Sequence, residues 1–262
     1  MNARQGSKQR LIAITLLIFA VALICGALWW TNRPATPMNP SASESPSASA
    51  TQQMQATTAP TAQSSFAPTV TDPQGLNIIH SQQRRDASDA RAKGDVNAPV
   101  VMVLYSDFSC PYCTRLAQQV EPQLEDLVKN GTLRIEWRDL AQIAQSSPLA
   151  AQGGIAAANQ GRFWEFVAAA YGEADPSGHP EYTLESLTEI AKKAGVSDIE
   201  KFRADTMDDA TAAQVKQAQN DAYQIGVQGT PFMFIGDAFI SGFRDANYVR
   251  ATILNQAEHL KK

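Results

Sequence analysis

Hydrophobic residues are unevenly distributed along this chain of 262 residues and divide it into distinct segments. Leu11 to Trp30 carries no charge and is long enough to cross a membrane as a helix. From Asn32 to about Gln74 the chain is rich in Pro, Ser, Ala, Thr and Gln, with too few large apolar residues to bury a core. Apolar positions with strand and helix periods return after Leu76. The pattern predicts a short N-terminal segment, a transmembrane helix, a disordered linker and a folded domain, bounded as 1–10, 11–30, 31–75 and 76–262.

Four apolar runs in the folded domain predict strands. Val100 to Tyr105 is apolar at every position, which is typical of a central strand covered on both faces. Leu133 to Trp137 alternates between apolar and charged residues and predicts a second strand. Thr230 to Ile235 and Ala238 to Ile240 flank a Gly-Asp turn and predict a hairpin.

Helical signals fill the rest of the domain. Apolar residues recur at helical spacing after the first strand, at Leu116, Val120, Leu124 and Leu127, and Asn130-Gly131 ends that helix. Residues 140–226 are predicted to be almost wholly helical, with a capping box at Ser197-Asp198-Ile199-Glu200 and a helix end at Gly226. Asp245 is placed to cap a last helix that runs to about Glu258. The order predicts an α/β fold with an all-helical insertion.

The flanking charges predict the orientation of the apolar N-terminal segment. Arg4, Lys8 and Arg10 precede it and no basic cluster follows closely, so the N-terminus is expected in the cytoplasm and the folded domain outside it. The length of the segment and the absence of a small-x-small cleavage site favour an uncleaved signal-anchor in the cell membrane over a cleaved signal. Lipid attachment at Cys25 is a third reading, but Ile24 is larger than the residue that usually precedes a lipidated cysteine.

Charge and cysteine content narrow the chemistry. The net charge of −4 argues against a nucleic-acid partner. Outside the apolar N-terminal segment the chain has two cysteines, in Cys110-Pro111-Tyr112-Cys113. This tetrad lies where the first predicted strand passes into a helix. A dithiol at such a place predicts reversible disulfide chemistry.

The predicted positions of the two cysteines in the helix indicate a different role for each thiol. Cys110 is predicted at the helix N-cap, where unpaired N–H groups favour an anion and lower the thiol pKa. Pro111 suits the first helical position, because its missing N–H would have been unpaired there. Cys110 is therefore the expected nucleophile, and Cys113, one turn further in, the more buried resolving thiol.

Two other readings of the tetrad are weaker. A CxxC metal half-site needs two further ligands, and the three histidines, His80, His179 and His259, are scattered along the chain. A purely structural disulfide across two residues closes too small a loop to add much stability. No metal and no cofactor are expected.

Several motifs together resemble the DsbA-like branch of the thioredoxin superfamily, over about residues 76–262. They are Phe108 to Cys113, the preceding Gly94 to Val100, the later Gly229-Thr230-Pro231, and Gly161 to Phe166. The resemblance implies a thioredoxin fold interrupted by a helical domain. It also implies that Pro231 is cis and packs beside the dithiol, and that the Thr230 backbone pairs with an extended substrate segment.

The chain departs from the wider superfamily at one position. Thioredoxin-like proteins often carry a buried acid six residues before the first cysteine, where it assists proton transfer, and here that residue is Leu104. The nearest carboxylate is Asp107, which is common in this branch. Asp107 is a candidate for proton transfer, with a structural turn or cap as the alternative.

The resemblance favours an extracytoplasmic thiol:disulfide oxidase that gives disulfides to exported, unfolded or partly folded proteins. A membrane thiol oxidase of DsbB or VKOR type is the implied reoxidising partner. Tyr112 replaces the histidine of the strongest oxidants, which predicts a milder oxidant. A reductase, an isomerase and a non-catalytic, chaperone-like peptide-binding module are the alternatives. The isomerase is disfavoured because the chain has only a tether where such enzymes carry a dimerisation domain.

Overall fold

A five-stranded mixed sheet lies at the centre of the computed structural model, which describes residues 65–261. The strands, in chain order, are β1 Ala92–Lys93, β2 Val100–Ser106, β3 Leu133–Asp139, β4 Phe232–Ile235 and β5 Ala238–Ser241. Their spatial order is β1-β3-β2-β4-β5. β2 is parallel to β3, and the β4–β5 hairpin pairs antiparallel with β2. The arrangement confirms the predicted α/β architecture, in which a helical block interrupts the sheet between β3 and β4.

β2 is buried on both faces, as its continuous apolar run predicts. Val100, Met102 and Leu104 belong to one core cluster, with Phe108, Trp137 and the two cysteines. The alternate residues Val101, Val103 and Tyr105 belong to a second cluster on the other side of the sheet. Because β2 is packed on both faces, its C-terminal end is rigid and supports the loop that leads to Cys110.

Nine α-helices surround the sheet within residues 65–261. They are α1 Pro73–Gln82, α2 Pro111–Arg115, α3 Glu125–Lys129, α4 Ser147–Ala158, α5 Phe163–Gly172, α6 Leu184–Lys193, α7 Ile199–Thr206, α8 Asp209–Gln224 and α9 Ala246–His259. Helices α4 to α8 lie between β3 and β4 and form the helical block. Asp245 caps α9 through Tyr248 N, as predicted.

The helical stretch after the dithiol is irregular. A π-helical turn, Leu116–Val120, and a 3-10 turn, Glu121–Leu124, separate α2 from α3. Pro122 lies in the 3-10 turn, where its missing N–H prevents a regular helix. The four apolar residues that define the predicted helix face are all buried nonetheless.

Two predicted boundaries are wrong. The folded part begins about ten residues before Leu76, because Ala67 N donates to Thr252 Oγ1 at 2.9 Å and Val70 N donates to Asp237 O at 2.8 Å. The cap of α7 is Asp198, whose carboxylate accepts from Lys201 N at 2.8 Å, and Ser197 lies outside the capping box predicted for it.

Of the other predicted boundaries, some lie in the part of the chain that the structure describes and some lie outside it. Gly131 and Gly226 follow helix ends with φ of 77° and 83°, as predicted. The predicted segments 1–10 and 11–30 and most of the linker lie outside the described residues. Among residues 65–261, no helix has the length and apolarity needed to cross a membrane.

β3 is wholly buried although its charged residues alternate with apolar ones. Glu136 is fully buried and accepts hydrogen bonds from the backbone N–H groups of Arg84 and Arg85, each at 2.9 Å. Arg134 Nε and Arg138 Nη2 also donate to it, at 2.9 and 3.0 Å. Burial opposes the charge of Glu136, but these donors outweigh burial and lower its pKa below the usual value. One carboxylate thus fastens the segment after α1 to the sheet.

Glu136→Gln is expected to lower the free energy of unfolding by about 3 kcal/mol, because it leaves two buried guanidinium groups without their anion. Since the pKa of Glu136 is depressed in the folded protein, its contribution to the free energy of unfolding is fully present above its pKa in the unfolded chain, about 4.3. It is lost as pH falls through the folded pKa. Urea unfolding of the wild type and E136Q at pH 7 and at acidic pH measures both effects.

Glu165→Gln is the matched control, since Glu165 forms an exposed pair with Arg162. This change is expected to cost less than about 1 kcal/mol. Equal losses in E136Q and E165Q would contradict the structural role of Glu136.

Candidate active site

The backbone places Cys110 at the start of α2. Cys110 is the N-cap, with extended φ and ψ of −86° and 120°, and Pro111 occupies the first helical position. The Cys110 Sγ lies 3.4 Å from the carbonyl oxygen of Thr230. Both cysteines are free, so the structure shows the dithiol form.

The surroundings of Cys110 favour its thiolate. A hydrogen bond from the Cys113 thiol is the largest influence on the pKa of Cys110 and lowers it. Burial opposes this, while the Thr230 side chain and the backbone N–H groups of Cys113 and Tyr112 lower the pKa further. The net result is a pKa of about 6, so Cys110 is an anion at neutral pH in the dithiol form.

Cys113 has the opposite environment. Its side chain is fully buried, and burial together with the neighbouring Cys110 raises the pKa of Cys113 well above its usual value. Hydrogen bonds from Ser106 and from the backbone N–H of Asp107 offset this only in part. The two thiols are therefore unequal, with an anionic Cys110 and a protonated Cys113 that donates to it.

The Thr230–Pro231 peptide bond is cis, as the resemblance implies. It places Thr230 beside Cys110, immediately before β4. The Thr230 hydroxyl is buried, and the Thr230 side chain is one of the groups that favour the Cys110 thiolate.

A cavity of about 390 Å³ opens on the dithiol. Four residues singled out in the sequence line it, namely Cys110, Pro111, Tyr112 and Thr230. Tyr112 is 51% exposed, and its ring lies under the Arg115 guanidinium and 6.5 Å from the Phe243 ring. The rim therefore offers an apolar, aromatic surface next to the reactive sulfur.

The cavity is also lined by residues to which the sequence assigned no role at the dithiol: Arg115, Ile143, Pro176, Ser177 and His179. His179 is almost seventy positions from Cys110, so no spacing rule links the two. Its place in the cavity results from the loop between α5 and α6, which the Arg115 Nε holds through the Pro176 carbonyl oxygen at 3.1 Å.

A larger cavity, of about 590 Å³, is lined by neither Cys110 nor Cys113. It lies between the helical stretch after the dithiol and α5, with Lys93 and Trp164 among its lining residues. The chemistry belongs to the smaller cavity, because only that one exposes the sulfur. Within residues 65–261 no group of three or more His, Cys, Asp or Glu side chains is arranged to hold a metal ion.

Asp107 is a buried structural acceptor. One carboxylate oxygen accepts from Ser109 N and Ser147 Oγ, both at 2.8 Å. The other accepts from Gln142 N at 2.7 Å and from Ile143 N at 2.8 Å. These four donors favour the turn-and-cap alternative for Asp107 over proton transfer. Leu104 lies in the apolar core, so its position offers no acid.

Comparison with known proteins gives consistent matches. Residues 86–255 match the family described as Thioredoxin. The chain is 28% identical over 152 residues to a probable disulfide bond formation protein D from Bacillus anthracis, covering 56% of this chain and 70% of that protein. The fold resembles that of oxidised BdbD from Bacillus subtilis, with a TM-score of 0.59, 20% identity, and coverage of 74% of this chain and 98% of that one.

Another relative is much longer. The chain is 31% identical over 153 residues to the Na(+)/H(+) antiporter NhaA 3 of Salinispora tropica. The match covers 57% of this chain but only 22% of the antiporter, so the chain spans about a fifth of that protein's length.

The thiolate of Cys110 should be directly observable. The ultraviolet thiolate absorbance of the reduced protein is expected to titrate with a midpoint near pH 6, and Cys110→Ser should abolish this transition. Cys113→Ala should raise the pKa of Cys110 towards the ordinary value of about 8.5, because it removes the principal hydrogen-bond donor.

Thr114→Ala is the matched control for that titration. The Thr114 hydroxyl donates to the Cys110 carbonyl oxygen rather than to the sulfur, so the midpoint should stay near the wild-type value. A midpoint above pH 8 in the wild type would contradict the proposed electrostatics of the site.

Proposed function

We propose that this chain, which belongs to the thioredoxin family, is a DsbA-like thiol:disulfide oxidoreductase and acts as an oxidase. Its dithiol would transfer a disulfide to exported, unfolded or partly folded proteins. The observation that carries this proposal is the stabilised Cys110 thiolate, at the edge of an open cavity and beside a cis-proline.

The pKa of Cys110 supports an oxidising direction. Stabilising the thiolate stabilises the dithiol form, so a lower pKa makes the disulfide a stronger oxidant. The value of about 6 lies between about 7 in thioredoxin and about 3.5 in DsbA. We therefore expect a reduction potential between about −270 and about −120 mV.

The reaction follows from the unequal thiols. A substrate thiolate attacks Cys110 Sγ, the Cys110–Cys113 bond breaks, and Cys113 leaves with the bonding electron pair. A second substrate thiolate attacks the substrate sulfur of the mixed disulfide and releases Cys110 as a thiolate. Two electrons pass from the substrate to the enzyme, and the substrate retains the disulfide.

Substrate positioning would use the cavity beside the dithiol. The Thr230 backbone, next to the cis-proline, is placed to pair with an extended segment, while the exposed ring of Tyr112 offers apolar contact. Reoxidation is assigned to a membrane thiol oxidase of DsbB or VKOR type. The predicted anchor at 11–30 would hold the domain outside the cytoplasm, where disulfides persist.

An equilibrium titration of the dithiol against glutathione, combined with refolding of reduced ribonuclease, tests the proposal. The potential is expected between the two limits given above. The oxidised wild type should restore ribonuclease activity, and Cys110→Ser should abolish this because the attacked sulfur is gone.

Ser109→Ala is the matched control, since the neighbouring Ser109 hydroxyl is buried and has no hydrogen-bond partner among the described residues. It should refold ribonuclease at close to the wild-type rate. A potential near −270 mV would reassign the protein as a reductase. Refolding that survives C110S would reassign it as a non-catalytic binding module.

A further inference from the structure

Arg115 is a half-buried cation in the wall of the dithiol cavity, and no carboxylate pairs with it. It lines the same cavity as Cys110. Seven of the ten arginines between residues 65 and 261 form an ion pair with an Asp or Glu side chain. The exceptions are Arg85, Arg115 and Arg244, and only Arg115 of these lines the cavity that exposes the sulfur.

Two contacts orient the Arg115 side chain and leave one end of it open. Its Nε donates to the Pro176 carbonyl oxygen at 3.1 Å. The carbon of the guanidinium lies 5.3 Å from the centre of the Tyr112 ring. Neither contact uses the N–H groups of Nη1 and Nη2, and these have no partner in the part of the chain that the structure describes. A guanidinium held in this way presents donors whose geometry matches a carboxylate.

The rest of the cavity wall carries no opposing charge. Among the described residues, no acidic side chain lines it. His179 is exposed there, and its ring makes no hydrogen bond or ion pair within residues 65–261. Asp175 lies in the same loop but does not line the cavity, and its carboxylate accepts from Ser177 N at 2.8 Å and from Ser177 Oγ at 2.7 Å. Arg115 therefore gives this cavity a positive wall, although the chain as a whole has a net charge of −4.

The redox state of the dithiol changes the charge that a ligand meets in this cavity. In the dithiol form, the Cys110 thiolate lies in the same cavity as Arg115 and offsets part of its positive charge. A disulfide carries no charge, so the oxidised form presents the Arg115 charge without that offset. The oxidised form is the one that reacts with a substrate thiol. A negative group on the substrate is thus attracted before the exchange and held less strongly after it.

We propose that Arg115 makes the dithiol cavity selective for substrate segments that carry an Asp or Glu carboxylate within about two residues of the reacting cysteine. A cavity of about 390 Å³ is about 7 Å across, a distance that about two extended residues span. The inference rests on the proposed function and deepens it, because it names the class of substrate.

Arg115 acts in this proposal as a specificity-determining residue and takes no part in making or breaking bonds. The substrate sulfur bonds to Cys110 Sγ, and the Cys110–Cys113 bond breaks. The electron pair of that bond goes to the Cys113 sulfur. The guanidinium contributes only by raising the local concentration of an acidic segment at Cys110 and by orienting it.

The test compares three peptides of equal length that carry Glu, Gln or Lys on both sides of a single cysteine. The second-order rate constant for opening the disulfide of the oxidised full-length protein is measured for each peptide. The ionic strength is about 0.15 M, where a Debye length of about 8 Å screens distant charges. Each value is divided by the rate constant with which the same peptide opens oxidised 2-mercaptoethanol, which corrects for the intrinsic reactivity of its thiol.

The wild type is expected to react about threefold faster with the Glu peptide than with the Gln peptide, and about threefold slower with the Lys peptide, as for a partly exposed ion pair. Arg115→Gln should make the three corrected rate constants equal. Arg115→Lys should keep part of the preference, because it retains the charge without the planar fork. At about 1 M KCl the wild-type preference should disappear, because the Debye length falls to about 3 Å.

Arg250→Gln is the matched control. Arg250 Nη2 donates to Asp126 Oδ2 at 2.6 Å on the surface, and Arg250 does not line the cavity. This variant loses the same charge as R115Q, so an effect of the overall charge would appear equally in both. The preference of R250Q for the Glu peptide should equal that of the wild type.

The outcomes separate the selectivity from the proposed function. If the wild type opens equally fast with all three peptides, or if R115Q keeps the wild-type preference, the selectivity is overturned while the oxidoreductase function stands. If the wild type forms no disulfide that any of the peptides opens, the proposed function itself fails. If R115Q does not fold, the salt dependence of the wild type decides, and a preference that persists at about 1 M KCl overturns the role of Arg115.

Discussion

The carboxylate of Asp107 is the interaction on which the geometry of the site depends. It accepts hydrogen bonds from the backbone N–H of Ser109, one residue before Cys110, and from those of Gln142 and Ile143, just before the helical block. A buried carboxylate that loses such donors is costly. The loop that carries the nucleophile and the start of the helical block are therefore held as one unit. The resulting rigidity lets small differences in hydrogen bonding set the properties of each sulfur.

The two sulfurs differ because they lie one helical turn apart. Cys110 lies at the helix start, where N–H groups are unpaired, and Cys113 lies one turn further into the core. This spacing lets the two cysteines form a disulfide, and in the dithiol form it leaves Cys110 as a thiolate and Cys113 protonated. Burial and the neighbouring Cys110 raise the pKa of Cys113, whereas the hydrogen bond from the Cys113 thiol lowers the pKa of Cys110, so the two pKa values move in opposite directions.

Local signals in the sequence were sufficient for much of this structure. The dithiol at a strand-to-helix junction, the doubly buried β2 and the β4–β5 hairpin follow from short-range patterns, and the cis bond before Pro231 follows from the resemblance. Long-range contacts were not predictable in this way. The Ser106–Tyr171 contact joins residues 65 positions apart and the Tyr182–Phe108 contact joins residues 74 apart. The burial of the charged β3 likewise depends on backbone donors about fifty residues earlier.

The early start of the folded part has a consequence for aggregation. A sheet edge with unpaired backbone groups is a template for strands of other chains. Thr69 forms a bridge with Ala238, the first of the four residues of edge strand β5, and β1 at the opposite edge has only two residues. A few residues that the composition assigned to the linker thus cover part of an edge to which strands of other chains could otherwise add.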